Sequence, residues 1–263
     1  MDLDLLHARA ALDWLLELGA DEAIGEEPVD RYALGEAARA ARAAPASAAS
    51  PPLATPMLAP ANLDPVTTAR ALAAESRTLA ELAAAMEGFD CELKPQARRF
   101  VLADGTPGAP LMVVGEAPGR EEDIEGKPFV GVAGQLLDRM LAAIGRDRAA
   151  PEPARAVYIA NVLPWRPPGN RRPETPEIDR WRPFLQRHIE LAAPKVLLIT
   201  GNSPALALLG RGGITQIRGT WSEAVGRPAL PSFHPSYLLR NPPAKREAWA
   251  DLLALKARLS TLG

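Results

Sequence analysis

The chain has 263 residues, 47% of them hydrophobic, which is enough for one good core with appendages. A single cysteine excludes an internal disulfide and an all-cysteine metal site. No apolar run reaches about eighteen residues, and the early aspartates of MDLDLLHARAALDW do not read as a secretory leader, so the expected location is the cytoplasm. The net charge of −2 hides an asymmetry: residues 1–87 hold 14 acidic and 6 basic side chains, a balance of −8, and the remainder balances at +6, which fits a polyanionic partner for the C-terminal part.

Residues 2–19 have helical spacing, with Leu5, Leu12, Leu15, Leu16 and Leu18 largely on one side and Gly19 as a stop; this N-terminal helical segment is taken as residues 1–35. Residues 36–64 are rich in Ala, Pro and Ser, with Pro45, Pro51, Pro52, Pro56 and Pro60, and read as a linker. Residues 65–87 are Ala/Leu-rich and read as a helix leading into a compact domain over 88–263. Within that domain the strand candidates are Leu111–Gly115, Val157–Asn161, Lys195–Thr200 and Ala229–His234, and helices are expected at 133–145, 176–192, 203–209 and 244–260. Strands alternating with helices predict a parallel sheet covered on both faces.

Three of these strands end in residues able to do chemistry. Leu111-Met112-Val113-Val114 stops at GEAPGREEDIEGKPFVGVAG, which holds Glu116, Glu122, Asp123 and Phe129. Asn161 leads into Pro-Trp-Arg-Pro-Pro-Gly-Asn-Arg-Arg. His234 opens His-Pro-Ser-Tyr-Leu-Leu-Arg-Asn-Pro. Carboxyl ends of parallel strands face one crevice, where such sheets bind ligands. Asn161 can donate and accept at once, which suits a pyrimidine edge. His234 can donate to a developing oxyanion, and Phe129 can stack on a flat ligand. Arg166, Arg171, Arg172, Arg240, Lys245 and Arg246 flank the loops and can meet phosphates. Taken singly, each of these residues more often has a packing or surface role; their convergence is what points to a site. The glycine-rich run is not a P-loop, because Gly126-Lys127 is followed by Pro128. It contains no G-x-G-x-x-G, and no Ser between glycines as a nucleophile elbow requires.

GEAPGREEDIEGKPFVGVAGQLLDRML, NVLPWRPPGNRRP and HPSYLLRNP together resemble the motifs of the family-four uracil-DNA glycosylases, with their order and approximate spacing kept across residues 88–263. The resemblance implies a three-layer α/β/α sandwich around a central four-stranded parallel sheet, and hydrolysis of the N-glycosidic bond of uracil in DNA. It implies that Phe129 stacks on the flipped base, that Asn161 reads its Watson–Crick edge, and that His234 donates to uracil O2. Glu116, Ala117 and Glu122 would line the pocket, with Glu122 near the C5 side. DNA would meet Arg166, Arg171, Ser236 and Arg240, with Leu238 or Leu239 as the wedge filling the gap left by the base. Related families place a water-activating Asp at the position of Ala117, so Glu116 or a backbone-held water is expected as substitute.

The chain departs from the family at its iron–sulfur ligands. Only Cys91 stands among the four matching positions; the others are Gly88, Trp165 and Trp181. A cluster needs about four thiolates, so no cofactor and no metal are expected, and Trp165 and Trp181 are expected to approach each other and fill the vacated space. The reading from another class is a non-catalytic uracil- or damaged-DNA-binding module of the same fold. Retention of the oxyanion-side donor His234 speaks against it. A nucleotide hydrolase is a third reading, without a complete phosphate-binding signature. A protein partner for the N-terminal helix is left open.

Overall fold

In a computed structural model the described residues are 64–261. The helical segment read over 2–19 and most of the Ala/Pro-rich linker lie outside them. Among the described residues the first elements are α1 (Pro65–Glu75), whose Asp64 side chain accepts from the Thr67 backbone N–H, and α2 (Leu79–Gly88), capped in the same way by Thr78. The stretch read as a single helix is therefore two, separated at Ser76–Thr78. Both helices pack on α5 (Thr175–Ala192) and bury Ala69, Ala73, Leu82 and Met86.

Four parallel strands form the centre of the sheet: β2 (Leu111–Gly115), β3 (Val157–Asn161), β4 (Val196–Thr200) and β6 (Arg227–Ser232). Two antiparallel edge strands extend it, β1 (Ala103–Gly105) beside β3 and β5 (Ser222–Ala224) beside β6, giving the order β1-β3-β2-β4-β6-β5. The sheet is thus six-stranded and mixed, with the expected four-stranded parallel sheet at its heart. Every residue of β2, β3 and β4 is buried, as strands covered on both faces must be.

The two faces separate by alternation along each strand. Met112, Val114, Tyr158, Ala160, Leu197 and Ile199 join the core under α1, α2, α5 and α6 (Asn202–Leu209). Leu111, Val113, Val157, Ile159, Val196, Leu198 and Leu230 join the core under α4 (Val132–Ala143) and α9 (Lys245–Ser260), which contribute Leu137, Leu141, Leu252 and Leu255. The result is the three-layer α/β/α sandwich. Short helices α3 (Arg120–Glu125), α7 (Ile214–Ile217) and α8 (Pro235–Arg240) complete it. Register pairs Gly115 with Asn161 and Thr200 with Ser232, so the loops after all four parallel strands open on one edge.

Candidate active site

That edge carries a cleft of about 420 Å³ whose lining includes Ala117, Glu122, Phe129, Asn161, His234, Ser236 and Arg240. An adjoining hollow of about 230 Å³ is lined by Glu116, Asn170, Arg172, Asn202, His234, Ser236 and Arg240, among others. His234, Ser236, Asn170 and Arg240 stand on both.

Asn161 ends β3. Its side chain is buried, and its Oδ1 has no hydrogen-bond partner. An unpaired buried acceptor is costly, about 1–3 kcal/mol, unless a ligand completes it. The neighbouring strand makes room for it: a Cβ at Gly115 would collide with both Asn161 Oδ1 and the Phe129 ring. Phe129 is buried and has φ 55°, in the left-handed region that a residue with a Cβ rarely adopts. Its carbonyl lies so close to Gly134 of α4 that any side chain there would strike it.

His234 follows β6 and caps α8. Its ring stacks with that of Phe129, centroids 5.5 Å apart at 29°. Its Nδ1 accepts from the Ser236 backbone N–H at 3.2 Å and lies 2.7 Å from Ser236 Oγ. A backbone amide only donates, so Nδ1 is the acceptor and the proton of the neutral ring sits on Nε2. Enclosure by protein lowers the His234 pKa from 6.5 to about 4, with the Arg240 charge adding to the effect. At neutral pH the cleft therefore presents an uncharged imidazole with a defined N–H donor. The segment expected to be a loop, Pro235–Arg240, is helical: Pro235 stands at the first position of α8, where a missing N–H costs nothing.

Glu122 is buried, and its carboxylate is spoken for by backbone. Oε1 accepts from the N–H groups of Val130 and Gly131, each at 3.0 Å, and Oε2 from Gly119 N–H at 3.0 Å. It thus ties the start of α3 to the loop carrying Phe129. Glu116 is half-buried on the adjoining hollow and accepts from Ser203 Oγ at 2.6 Å. Ala117 puts only a methyl group on the cleft wall.

The remaining expected residues divide. Ser236 and Arg240 reach the cleft. Of the two candidate wedges, Leu238 is 1% exposed and packs inward with Phe233 and Ala248, while Leu239 is 38% exposed. Arg166 and Arg171 line neither hollow. Arg166 donates to Asn170 Oδ1 at 2.7 Å and lies 3.8 Å from Asp123. Arg171 grips Glu177 of α5 through two bonds of 2.8 and 2.6 Å, which raises its pKa. Asp123 belongs to the glycine-rich run that the sequence marks; Ser203 and Asn202 are parts of this edge that sequence reasoning did not single out. Asp123 accepts from the Arg98 and Arg99 backbone N–H groups, and Asn202 Oδ1 from the Ile214 N–H. The partners of Ser203 and Asn202 lie 87 and 12 residues away, so no local pattern marks them.

On the opposite side of β3, Trp165 and Trp181 are both buried in one core cluster. Trp181 meets Phe89 and Phe184, and Trp165 meets Phe100; each indole has its own phenylalanine partners. Cys91 is buried, and burial raises its thiol pKa.

The family model of the uracil DNA glycosylase superfamily matches residues 102–253. The chain is similar to a type-4 uracil-DNA glycosylase of Saccharolobus solfataricus, 37% identical over 182 residues that cover 65% of this chain and 81% of that protein. It is 39% identical over 155 residues to the type-4 uracil-DNA glycosylase of Thermotoga maritima, covering 57% of this chain and 77% of that protein. Against the type-4 enzyme of Archaeoglobus fulgidus the figures are 36% over 172 residues, 61% and 82%. Type-4 enzymes generally carry an iron–sulfur cluster. At the positions where the resemblance puts its ligands this chain offers a glycine, a thiol that burial keeps protonated, and two indoles whose only polar group is a donor. That donor set does not fit an iron–sulfur cluster.

Proposed function

Because the chain belongs to the type-4 uracil-DNA glycosylases of the uracil DNA glycosylase superfamily, we propose that it hydrolyses the N-glycosidic bond of uracil in DNA and leaves an abasic site for base excision repair. The observation that carries this reading is the pairing, in one cleft, of a partnerless Asn161 Oδ1 with a neutral His234 whose proton is on Nε2. Uracil presents an N3–H donor between two carbonyl acceptors. Asn161 Oδ1 accepts from N3–H while its amide donates to O4; cytosine, with an acceptor at N3 and a donor at C4, meets the wrong group at both points. Phe129 supplies the stacking face.

The reaction then follows from charge. As the C1′–N1 bond breaks, its electron pair moves into the uracil ring and negative charge grows at O2. The His234 Nε2–H donates there, a contribution of about 3–4 kcal/mol for one well-placed donor. A neutral donor needs no prior protonation at pH 7. The sugar gains positive charge, which the DNA phosphates stabilise. A water, whose orientation we assign to Glu116, held by Ser203 in the hollow next to His234, then bonds to C1′. The proton it loses passes by way of the Glu116 carboxylate to the departed uracil anion, leaving a C1′ hydroxyl and neutral uracil. Ala117 offers no base at the position where related families carry Asp.

On the DNA side we assign the wedge to Leu239, the exposed member of the pair, and backbone contacts to Ser236 and Arg240. Arg166 and Arg171 contribute charge from behind their ion pairs. We further propose that the enzyme works without a metal or cluster, as a cytoplasmic monomer; the donor set at Gly88, Cys91, Trp165 and Trp181 supports the first point. Among the described residues no helix is long and apolar enough to cross a membrane. The test is incubation with single- and double-stranded oligonucleotides that contain one uracil. Abasic product that depends on His234 is expected; retained binding without product would leave the DNA-binding module instead.

A further inference from the structure

Phe129 holds its ring in place with a backbone that favours leaving it. The left-handed region costs a residue with a Cβ about 1–2 kcal/mol, so the surrounding groups must impose φ 55°. Two opposite charges do so from either side. Glu122 takes the N–H groups of Val130 and Gly131. Arg148 takes the carbonyls before them, with Nη1 donating to Pro128 O and Nη2 to Phe129 O, both at 2.9 Å. Three successive peptide groups, 128–129, 129–130 and 130–131, are thereby fixed by four hydrogen bonds around one aromatic residue.

Arg148 is built for this task. Its side chain is only 12% exposed, and two carboxylates aim it: Asp104 of β1 at 3.2 Å and Asp138 of α4 at 2.7 Å. Its Nε donates to Asp138 as well. A planar fork can hold two neighbouring carbonyls and two carboxylates together, which a lysine ammonium cannot do with the same geometry. Arg148 lines a separate surface hollow with Asp104 and Lys127, away from the base cleft, so it reaches the reaction only through Phe129.

We propose that Arg148 is a positioning residue for base excision, fixing the plane of the Phe129 ring on which the extruded base stacks. The proposal rests on the reading of Phe129 as the stacking face. Releasing the clamp lets the 128–130 peptides relax, and misplacement of a reacting group by about 1 Å costs up to roughly 100-fold in rate.

The experiment is a double-mutant cycle of Arg148→Met and Phe129→Ala on the full chain, read in two ways. The first is the single-turnover excision rate at saturating enzyme, with DNA affinity measured in parallel. Arg148→Met is expected to slow excision roughly 10- to 100-fold while DNA affinity changes less than about two-fold, and to add less than about two-fold once Phe129 is already Ala. The second needs no activity: the His234 ring signal in a histidine-labelled NMR spectrum, which the chain's three histidines keep simple. His234 stacks on Phe129, so Arg148→Met should shift that signal in the direction that Phe129→Ala does and leave His188 unmoved. Arg148→Lys, keeping one donor, should recover part of both effects; together with Asp138→Asn it carries the test if Arg148→Met does not fold. Additive rate losses, or a His234 signal that ignores Arg148, overturn the proposal. Absence of excision by the unmutated protein would overturn the stacking function, while the NMR arm still decides whether Arg148 holds the ring.

Discussion

Two regions a few residues apart on the same segment follow opposite rules. Asn161, at the end of β3, keeps a buried polar atom without a partner, beside a phenylalanine in a costly backbone conformation. Four residues on, Trp165 lies in a packed aromatic core with Phe100, in the same cluster as Trp181, Phe89 and Phe184. Both regions hold a buried polar atom without a partner, Asn161 Oδ1 and Trp165 Nε1; the first lies on an open cleft where a ligand can complete it, whereas the second is enclosed in an aromatic core held by packing. The difference teaches that the base pocket and the family's cluster position are separable. A core can exchange metal ligands for indoles if volume and packing are kept, whereas on the function proposed above the pocket cannot exchange Asn161 or His234 without losing the donor and acceptor pattern assigned to uracil.

Substitutions should therefore act in opposite ways in the two regions. The largest effect is expected for Trp181→Ala, which should lower unfolding stability by about 3–5 kcal/mol while the excision rate of the molecules still folded stays near that of the unmutated protein; denaturant unfolding and single-turnover kinetics separate the two. His234→Ala should do the reverse, lowering the rate by about 10²–10³ with little change in unfolding midpoint. A large stability loss from His234→Ala, or a lost rate in folded Trp181→Ala, would erase the distinction.

Much of this was legible because the fold writes itself in short buried runs. β2 and β3 carry unbroken apolar stretches closed by Gly115 and Asn161, and both match the sequence reading residue for residue. The edge strands β1 and β5 have three residues each, too few for any alternation to register. Helix α8 was hidden because Pro235 and Asn241-Pro242 read as loop signals over only six helical residues. In the site, Phe129, Asn161 and His234 follow from the rule that parallel strands end at one crevice. The bracing of Phe129 by Arg148, and of Glu116 by Ser203, joins residues 19 and 87 apart, so nothing in the local sequence announces it. The two indoles were expected to approach each other and fill one space; both lie in one buried cluster, where Phe100 packs on Trp165 and Phe89 on Trp181.

A smaller effect concerns pH. His188, enclosed against Tyr158 Oη at 2.9 Å, and His234 both have pKa values lowered from 6.5 to about 4, chiefly by burial. The unfolded chain therefore binds more protons than the folded one between those values, and stability should fall as pH drops from about 6.5 towards 4, by at most ~1.4 kcal/mol per pH unit for each histidine. His188 should dominate, since His234 opens on the cleft and is better solvated. His188→Gln should flatten that slope in acid denaturation without altering excision. The smallest effect is expected at Cys91, a buried thiol packed as a small apolar group: Cys91→Ala should cost about 1 kcal/mol or less and leave the rate unchanged.

The most direct measurement is single-turnover excision by purified full-length protein whose iron content has been assayed, with and without a strong chelator, on an oligonucleotide containing one uracil. Abasic product at the same rate in both conditions, from protein without bound iron and lost in His234→Ala, is expected. Product that appears only with iron bound, or no product from a protein that still binds the oligonucleotide, would contradict a pocket that works independently of the position where the family holds its cluster.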